Sequence, residues 1–324
     1  MKLKNLSLLV IATCVSGSVL ACDLTVSTST TLQNLPSASG IVNHDNHILA
    51  VGDDSSQLFT LNDKFKVMSE SQIAHYKTGK DGRIVKKVKP DFESMDVQHI
   101  NGKPAYVILG SGSKKKVREK GFVIAQDKSF KIERDLAPLY EKLHQVGHFT
   151  QKQEINIEGL ASSKDKVFIF NRGNSGPNML FEVDRTAFEN YMTGKQDNID
   201  KIESYLVKLP AIDGIESGLS GATYDEATKM LYLTSSVEAT GGAYQDGDIL
   251  GSFVAELPLS QLANGKTIDL TKDAMPVEHD GKKVITKVES IAITSHEGNV
   301  TKGVLASDND NGTSQFFDFK IKES

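Results

Sequence analysis

The chain has 324 residues and a formal net charge of −5, with 37 Lys and Arg residues against 42 Asp and Glu residues. This acidic balance argues against a nucleic-acid partner, because proteins that neutralise phosphates carry a basic surplus. A hydrophobic content of 39% with 24% charged residues is typical of a globular protein and argues against a disordered chain or a polytopic membrane protein.

The first 21 residues have the pattern of a secretory signal peptide. Lys2 and Lys4 precede a short apolar run, and the segment ends in Val19-Leu20-Ala21-Cys22. The apolar run is too short to span a bilayer. We therefore predict an exported protein, in the bacterial periplasm or held at the membrane, with a signal peptide over 1–21 and a single domain over 22–324.

The end of this segment fits two cleavage reactions. An ordinary signal peptidase would release a soluble protein, whereas Leu20-Ala21-Cys22 resembles the bacterial lipobox, in which Cys22 carries the lipid. Cys14 is the other cysteine and lies inside the signal, so the mature chain has no intramolecular disulfide. A lone cysteine in an oxidising compartment favours lipidation of Cys22, with membrane attachment, over the soluble form.

A two-part motif recurs five times along the rest of the chain. A short strand begins with Ser or Glu followed by a small and an apolar residue, and a second strand ends in a polar turn. Third strands are predicted over 58–61, 121–125, 179–183, 252–257 and 315–321, and fourth strands over 65–68, 130–133, 205–209 and 267–270. The first residues of the repeats, called the marker residues below, are Ser39, Glu93, Glu158, Ser220 and Glu289.

Four short strands per repeat are typical of a β-propeller, whose blades cannot bury their own faces alone. The fifth repeat lacks a fourth strand, which segment 24–32 could supply. We therefore predict an all-β, five-bladed β-propeller closed by the N-terminal strand, with a six-bladed ring or a pair of β-sandwiches as alternatives. Two inserts, 136–146 and 186–192, have helical spacing.

In a propeller the first strand of each blade lines the central channel, so the five marker residues should surround the axis on one face. Their three carboxylates would repel one another unless a cation or retained protons compensate. Ligands that are all oxygen atoms favour a hard cation, and we predict Ca²⁺. The alternative is that each Glu accepts hydrogen bonds from backbone amides of the neighbouring blade.

The turns after the second strands should lie on the same face. An anionic, phosphorylated small ligand is predicted from the basic and amide side chains there, which are Lys114, Arg118, Asn171 and Asn174. Catalytic roles are assigned to Asp53 or Asp54 as base and to Arg172 as the group that stabilises developing charge. Asp308-Asn309-Asp310 resembles the start of a calcium loop, although a plain Asx-rich turn is the preferred interpretation.

These residues resemble the calcium-activated nucleotidase (apyrase) family. The likeness lies in the marker order Ser, Glu, Glu, Ser, Glu and in Ser39-Gly40-Ile41 followed by Val51-Gly52-Asp53-Asp54-Ser55, which is similar to that family's Ser-Gly-Leu strand and Asp-Asp-Arg-Thr-Gly turn. Ser55-Ser56 stands where the family has Arg-Thr. The resemblance implies a five-bladed propeller with axial calcium and nucleotide hydrolysis. Asn156 to Gly159 and Asn171 to Asn174 are also similar to exported bacterial propellers, and phytase-like propellers are looser relatives.

Three functions remain open from the sequence. The first is a calcium-dependent phosphohydrolase of the cell envelope, and the second is a non-catalytic propeller that binds a glycan, a phosphorylated ligand or a protein. The third is lactonase or esterase chemistry at the same calcium. The sequence contains no His-Glu-x-x-His, Walker or Gly-x-Ser-x-Gly motif, and we infer no nucleophilic dyad from it.

Overall fold

The computed structural model describes residues 22–240, 247–309 and 311–323. The predicted signal peptide over 1–21 and Asp310 lie outside the described residues. The first strands of the described chain are β1, Cys22–Val26, and β2, Thr30–Leu32.

Five sheets follow one another along the chain, and each begins at the axis and proceeds outward. The first sheet comprises β3 Ala38–His44, β4 His47–Gly52, β5 Gln57–Leu61 and β6 Val67–Gln72. The second comprises β7 Phe92–Ile100, β8 Lys103–Gly110, β9 Lys120–Ala125 and β10 Lys131–Asp135. The third begins with β11 Ile157–Ser162, β12 Lys166–Asn171, β13 Met179–Asp184 and β14 Ile202–Lys208.

Two further sheets complete the ring. A two-residue hairpin, β15 Ala211–Ile212 and β16 Ile215–Glu216, leads into the fourth sheet, whose inner strands are β17 Gly218–Asp225, β18 Met230–Ala239 and β19 Asp248–Pro258. After a 3₁₀ turn at Leu259–Asn264 come β20 Thr267–Asp269, β21 Met275–Pro276, β22 Glu278–His279 and β23 Lys282–Lys283. The fifth sheet contains β24 Lys287–Glu297, β25 Val300–Asp308 and β26 Ser314–Glu323.

The innermost strands close a ring of five. Strands β3, β7, β11, β17 and β24 each pack against the next, and β24 packs against β3. The N-terminal strand completes the last blade, because β1 pairs antiparallel with β26 from Cys22–Glu323 to Val26–Phe319, and β2 pairs with the same strand. The predicted all-β, five-bladed propeller closed by its N-terminal strand is therefore confirmed.

Alternate side chains of one strand fill the spaces on both sides of a blade. In β12, Val167 and Ile169 pack in a cluster with blade 2, whereas Phe168 and Phe170 pack in a cluster with Leu231 of blade 4. Successive side chains of a strand point to opposite faces, and both faces of each blade are covered by a neighbour. This accounts for the continuous apolar runs of the second strands.

One predicted strand belongs to a different blade. Segment 267–270 was expected to end the fourth blade, but β20 pairs in parallel with β14 of the third blade, through Leu206–Thr267 to Lys208–Asp269. Ile268 and Leu270 are buried in the apolar cluster between blades 3 and 4. The outer strand of blade 4 is instead the short β21, which pairs with β19 at Phe253 and Val254.

The two predicted helical inserts are present as α1, Ala137–Val146, and α2, Arg185–Met192. Side chains of both helices lie in one apolar cluster with blades 2 and 3, and the Leu139 amide of α1 donates to the Tyr191 hydroxyl of α2 at 3.4 Å. Among the described residues, no helix is both long enough and apolar enough to cross a membrane.

Candidate functional site

Each of the five marker residues is the extra residue of a β-bulge in the innermost strand of its blade. In blade 1 the pairing passes from Ala38–Gly52 to Gly40–Val51 and omits Ser39. The same one-residue shift occurs at Glu93, Glu158, Ser220 and Glu289. A bulge leaves its extra residue unpaired and re-aims the side chain. The recurrent motif is therefore the sequence signature of five equivalent bulges at one end of the channel.

The small residue after each marker is required by the approach of neighbouring blades. A Cβ atom added to Gly221 would lie 2.6 Å from the carbonyl oxygen of Glu289 in the next blade, and one added to Gly40 would lie 3.1 Å from the Met95 amide nitrogen. At Gly221 even the methyl group of Ala would force the innermost strands apart.

The two serine markers join adjacent blades. The Ser39 hydroxyl donates to the carbonyl of Phe92 in blade 2. The Ser220 hydroxyl donates to the carbonyl of Val288 in blade 5 at 2.6 Å. Ser39 also lines the axial cavity, whereas Ser220 is completely buried beneath it. In the structure both hydroxyl protons are therefore used between blades.

The three glutamate markers face a cavity of about 520 Å³ at the end of the channel. Its charged lining is dense and mostly acidic, because nine carboxylates face six cationic side chains. The carboxylates belong to Asp53, Asp54, Asp81, Asp91, Glu93, Glu158, Glu238, Glu289 and Asp308. The cations belong to Arg83, Lys86, Lys89, Arg118, Arg172 and Lys287.

Arg172 is the centre of one charge cluster. It is 2% exposed, and its guanidinium lies 2.9 Å from Glu238, 3.6 Å from Glu289 and 3.9 Å from Glu158. Lys287 adds a second cation 2.8 Å from the other oxygen of Glu289. Burial would lower the pKa of Arg172, but Glu158, Glu289 and Glu238 together raise it, so the guanidinium remains charged.

Lys89 is the centre of a second cluster. Its ammonium contacts Asp53 and lies 2.8 Å from Asp91, whose other oxygen accepts from Arg118 at 2.6 Å. Burial opposes ionisation of Asp91, yet Lys89 and Arg118 lower its pKa below the ordinary value. Oxygen atoms of Asp53, Asp91 and Glu93 all lie within 4.8 Å of one another, which is the spacing of a candidate cation site.

Glu93 lies beside the Lys89 cluster, with an oxygen atom within 4.8 Å of oxygen atoms of Asp53 and Asp91. Within the described parts of the chain it forms no ion pair or side-chain hydrogen bond. Burial, followed by repulsion from Glu158 and Asp91, raises the pKa of Glu93 well above its ordinary value. Burial and the Glu289 carboxylate also raise the pKa of Glu158 to about 8, in spite of Arg172. The neighbouring cations thus do not fully compensate the ionised form of Glu93 and Glu158.

The donor set fits a hard cation beside Glu93, where oxygen atoms of Asp53, Asp91 and Glu93 lie within 4.8 Å of one another. All the candidate donors are oxygen atoms, as Ca²⁺ requires. The Oδ1 atom of Asp53 is buried and has no hydrogen-bond donor among the described residues. An orphaned, buried carboxylate oxygen is costly unless a cation compensates it. Glu158 and Glu289 line the same cavity and would add negative charge around the ion.

The two predicted acidic catalytic residues both line the cavity. Asp53 binds Lys89 through one oxygen, and its Oδ1 atom is buried without a hydrogen-bond donor in the described chain. Burial raises the pKa of Asp53 to about 6, although Lys89 opposes the shift. Asp54 is held by the Arg83 guanidinium. Asp308 also lines the cavity, next to Asn309 at the end of β25.

The predicted ligand-binding residues are divided by the structure. Arg118 and Asn174 line the cavity. Lys114 is exposed and lies outside the cavity lining. It begins a turn in which the Arg118 amide donates to the Lys114 carbonyl at 2.9 Å, and this turn brings Arg118, but not Lys114, to the cavity. Asn171 is fully buried and accepts from the Asn156 amide at 2.7 Å, so it supports the turn below the cavity.

Sequence reasoning missed three lining residues that share a simple position. Asp91, Asn156 and Lys287 each precede a glutamate marker by two residues. Asn156 donates to Glu158 at 2.7 Å, and Lys287 pairs with Glu289. Comparison of the repeats at this position would have shown that every glutamate marker is preceded by a polar residue two positions earlier.

Comparison with solved structures finds β-propellers of low similarity. A glutaminyl cyclase from Myxococcus xanthus is 10% identical, with a TM-score of 0.46 and coverage of 94% of this chain and 99% of that chain. An α-L-arabinofuranosidase from Podospora anserina, solved with cellotriose, is 11% identical, with a TM-score of 0.45 and coverage of 95% and 93%. Similarity this distant carries no argument about function.

Comparison of sequences gives the family. No curated protein sequence matches the chain. The model of a family of unknown function, DUF6929, matches residues 34–321, which include all five marker residues and nearly the whole propeller. The chain therefore belongs to the DUF6929 family.

Proposed function

We propose that the chain is an exported, calcium-binding β-propeller that hydrolyses a small phosphorylated substrate in its axial cavity. The observation that carries the proposal is the convergence of Glu93, Glu158 and Glu289 on one cavity in which their charge is not fully compensated. Burial makes Glu93 and Glu158 retain protons, and a bound cation would displace those protons and stabilise the ionised carboxylates.

The cavity suits a small anionic substrate. About 520 Å³ is within the range of ordinary ligand sites. Bound Ca²⁺ would supply positive charge that polarises a phosphoryl oxygen. Arg118 and Asn174 are the sequence-predicted binding residues that reach this cavity. The resemblance of the marker order and of the Asp53-Asp54 turn to the calcium-activated nucleotidases favours phosphoanhydride or phosphoester substrates.

Asp53 is the stronger candidate for the general base. Its unpartnered Oδ1 atom lies in the same cluster as Glu93, and a carboxyl with a raised pKa accepts a proton from water more readily. Asp54 would then position Arg83, and Arg172 would act through charge rather than by contact, since it is enclosed by three carboxylates.

Membrane attachment is part of the proposal. Cys22 is the first residue of β1 and lies opposite Glu323 in the sheet. A lipid on Cys22 would therefore hold the propeller at the bilayer surface with no linker between the lipid and the fold. Globomycin treatment of producing cells, followed by metabolic labelling with palmitate, tests this, and a Cys22→Ser variant that still incorporates label would contradict it.

A second candidate function is ligand binding without catalysis. It is favoured by the position of Arg172, whose two terminal nitrogen atoms already face the carboxylates of Glu158, Glu238 and Glu289 and so have less charge to offer a transition state. In that case the cation and the charged network would hold a ligand and the ring together.

The experiment is phosphate release from nucleoside di- and triphosphates and phosphate monoesters by the mature chain, with Ca²⁺ and with chelator. Asp53→Asn should abolish calcium-dependent release. The matched control is Asp45→Asn, in the β3–β4 hairpin of the same blade, outside the cavity lining. Absence of release from every substrate by folded protein would reject the hydrolase and leave the binding function.

A further inference from the structure

A basic segment forms part of the wall of the axial cavity. Residues 77–89, called the strap below, lie between β6 of blade 1 and β7 of blade 2. The strap contains Lys77, Lys80, Arg83, Lys86, Lys87 and Lys89 against a single acidic residue, Asp81. It contributes Gly79, Asp81, Arg83, Ile84, Val85, Lys86 and Lys89 to the cavity lining. Nothing in the marker motif predicts this basic segment in the wall of an acidic site.

The strap is fastened to the cavity wall at several points. The Ile84 amide donates to the Asp54 carbonyl at 2.7 Å, and the Arg83 guanidinium pairs with the Asp54 carboxylate. Its two arms are joined by the Gly79 amide to Arg83 carbonyl bond of 2.8 Å and the Val85 amide to Lys77 carbonyl bond of 3.0 Å. The main chain of the strap is therefore held in a defined position beside Asp54 in the cavity wall.

Lys86 and Lys87 form the tip of a tight turn in the strap, closed by the Val88 amide, which donates to the Val85 carbonyl at 3.0 Å. Both side chains are exposed. They differ in direction, because Lys86 lines the cavity and Lys87 does not. Two adjacent lysines with the same charge and exposure thus differ in whether they face the site.

Lys86 also differs from the other cations of the cavity. Arg83, Lys89, Arg118, Arg172 and Lys287 are each ion-paired with a lining carboxylate. Lys86 has no carboxylate partner among residues 22–240, 247–309 and 311–323. Its ammonium is therefore available to a ligand without the loss of an existing ion pair.

We propose that Lys86 binds the anionic group of the ligand, a phosphoryl group, at the mouth of the axial cavity. This inference rests on the proposed function, because a phosphoryl group enters an acidic cavity only when a cation neutralises the glutamates beneath it. The Lys86 ammonium would bind phosphoryl oxygens that face away from the cation, while the hydrogen bonds of the strap hold the Lys86 main chain in place. The residue would set the preference for phosphorylated over neutral ligands.

Inorganic phosphate is the probe, measured by isothermal titration against the full mature chain with Ca²⁺ saturating and calcium phosphate still soluble. Lys86→Ala should weaken phosphate binding about ten-fold, the effect of losing one charge-assisted contact, whereas Lys87→Ala should change it less than about two-fold. Calcium affinity should be retained in both variants, and Lys86→Arg should recover most of the phosphate affinity.

The outcomes separate this inference from the proposed function. Equal weakening by Lys86→Ala and Lys87→Ala would show only a general field effect and overturn the inference, as would wild-type protein that binds no phosphate. Calcium-dependent hydrolysis that is unaffected by Lys86→Ala would overturn the inference and leave the hydrolase intact. Lys86-dependent phosphate binding by a protein that hydrolyses nothing would support the inference and reject hydrolysis.

Discussion

Replacement of Arg172 by Gln is expected to destabilise the propeller strongly. The guanidinium is 2% exposed and lies within 4 Å of carboxylate oxygens of Glu238, Glu289 and Glu158. Removing the positive charge leaves these groups with Lys287 as the nearby cation. Breaking a buried ion pair by deleting one partner costs about 3–5 kcal/mol. A loss in that range is a large part of the ~5–15 kcal/mol that stabilises an ordinary domain.

The loss should depend on pH and on calcium. Burial raises the pKa of Glu158 to about 8 in the folded protein, from an ordinary value of 4.5. Because the folded state binds the Glu158 proton more tightly than the unfolded state does, protonated Glu158 contributes to the free energy of unfolding at low pH. This contribution is lost as pH rises through about 8. The Arg172→Gln deficit should therefore be larger at pH 8 than at pH 5, and saturating Ca²⁺ should reduce it.

Urea unfolding followed by far-UV circular dichroism measures this, since the chain contains no Trp. Arg172→Lys should lose less than Arg172→Gln because it keeps the charge. Lys103→Gln is the control, because Lys103 forms a solvent-exposed ion pair with Asp127 and its loss should cost no more than about 1 kcal/mol. An Arg172→Gln loss no greater than that of the control would refute the assigned charge cluster.

Three further outcomes follow from the structure. Ser220→Ala should lower the free energy of unfolding by about 1–2 kcal/mol without changing calcium affinity, because the Ser220 hydroxyl links blades 4 and 5. A large drop in calcium affinity would instead show that Ser220 is a calcium ligand. Gly52→Ala should cost about 1–3 kcal/mol or more by urea unfolding, since its Cβ would lie 2.2 Å from the Pro36 carbonyl oxygen, and unchanged stability would contradict that turn. Burial raises the pKa of Asp96 to about 6, so the folded state binds this proton more tightly than the unfolded state, and up to about 3 kcal/mol of unfolding free energy is lost as pH rises from 4 to 7. Asp96→Asn should flatten the dependence of unfolding free energy on pH in this range, and an unchanged dependence would contradict the pKa shift.

Much of the fold was predictable because the five bulges leave a trace in the sequence. The need for a small residue beside the next blade and a polar residue at the bulge gives the repeated pair Ser-Gly, Glu-Ser or Glu-Gly. The position of β20 was not predictable in the same way. Ile268 is buried in the apolar cluster between blades 3 and 4, and tertiary packing, not the local sequence, determines which of the two blades its strand joins.

The candidate site was predictable in outline and not in its charge pairing. The repeat placed the markers at the axis and the Asp53-Asp54 turn beside them. It could not show that the 111–119 turn directs Lys114 away from the cavity and Arg118 into it, because that depends on how the turn folds. The strap has no counterpart in the other repeats, so the contribution of Lys86 and Lys89 had no pattern from which to be inferred.

We propose that the carboxylates around Glu93 bind a divalent cation. This is tested by isothermal titration of Ca²⁺ into the metal-free mature chain, alongside Glu93→Gln and the exposed blade-2 control Glu133→Gln. We expect one saturable site in the wild type and the control, weakened at least about ten-fold by Glu93→Gln, because affinity follows the number of charged ligands. No saturable calcium binding in folded wild-type protein, or equal affinity in Glu93→Gln and the control, would contradict it.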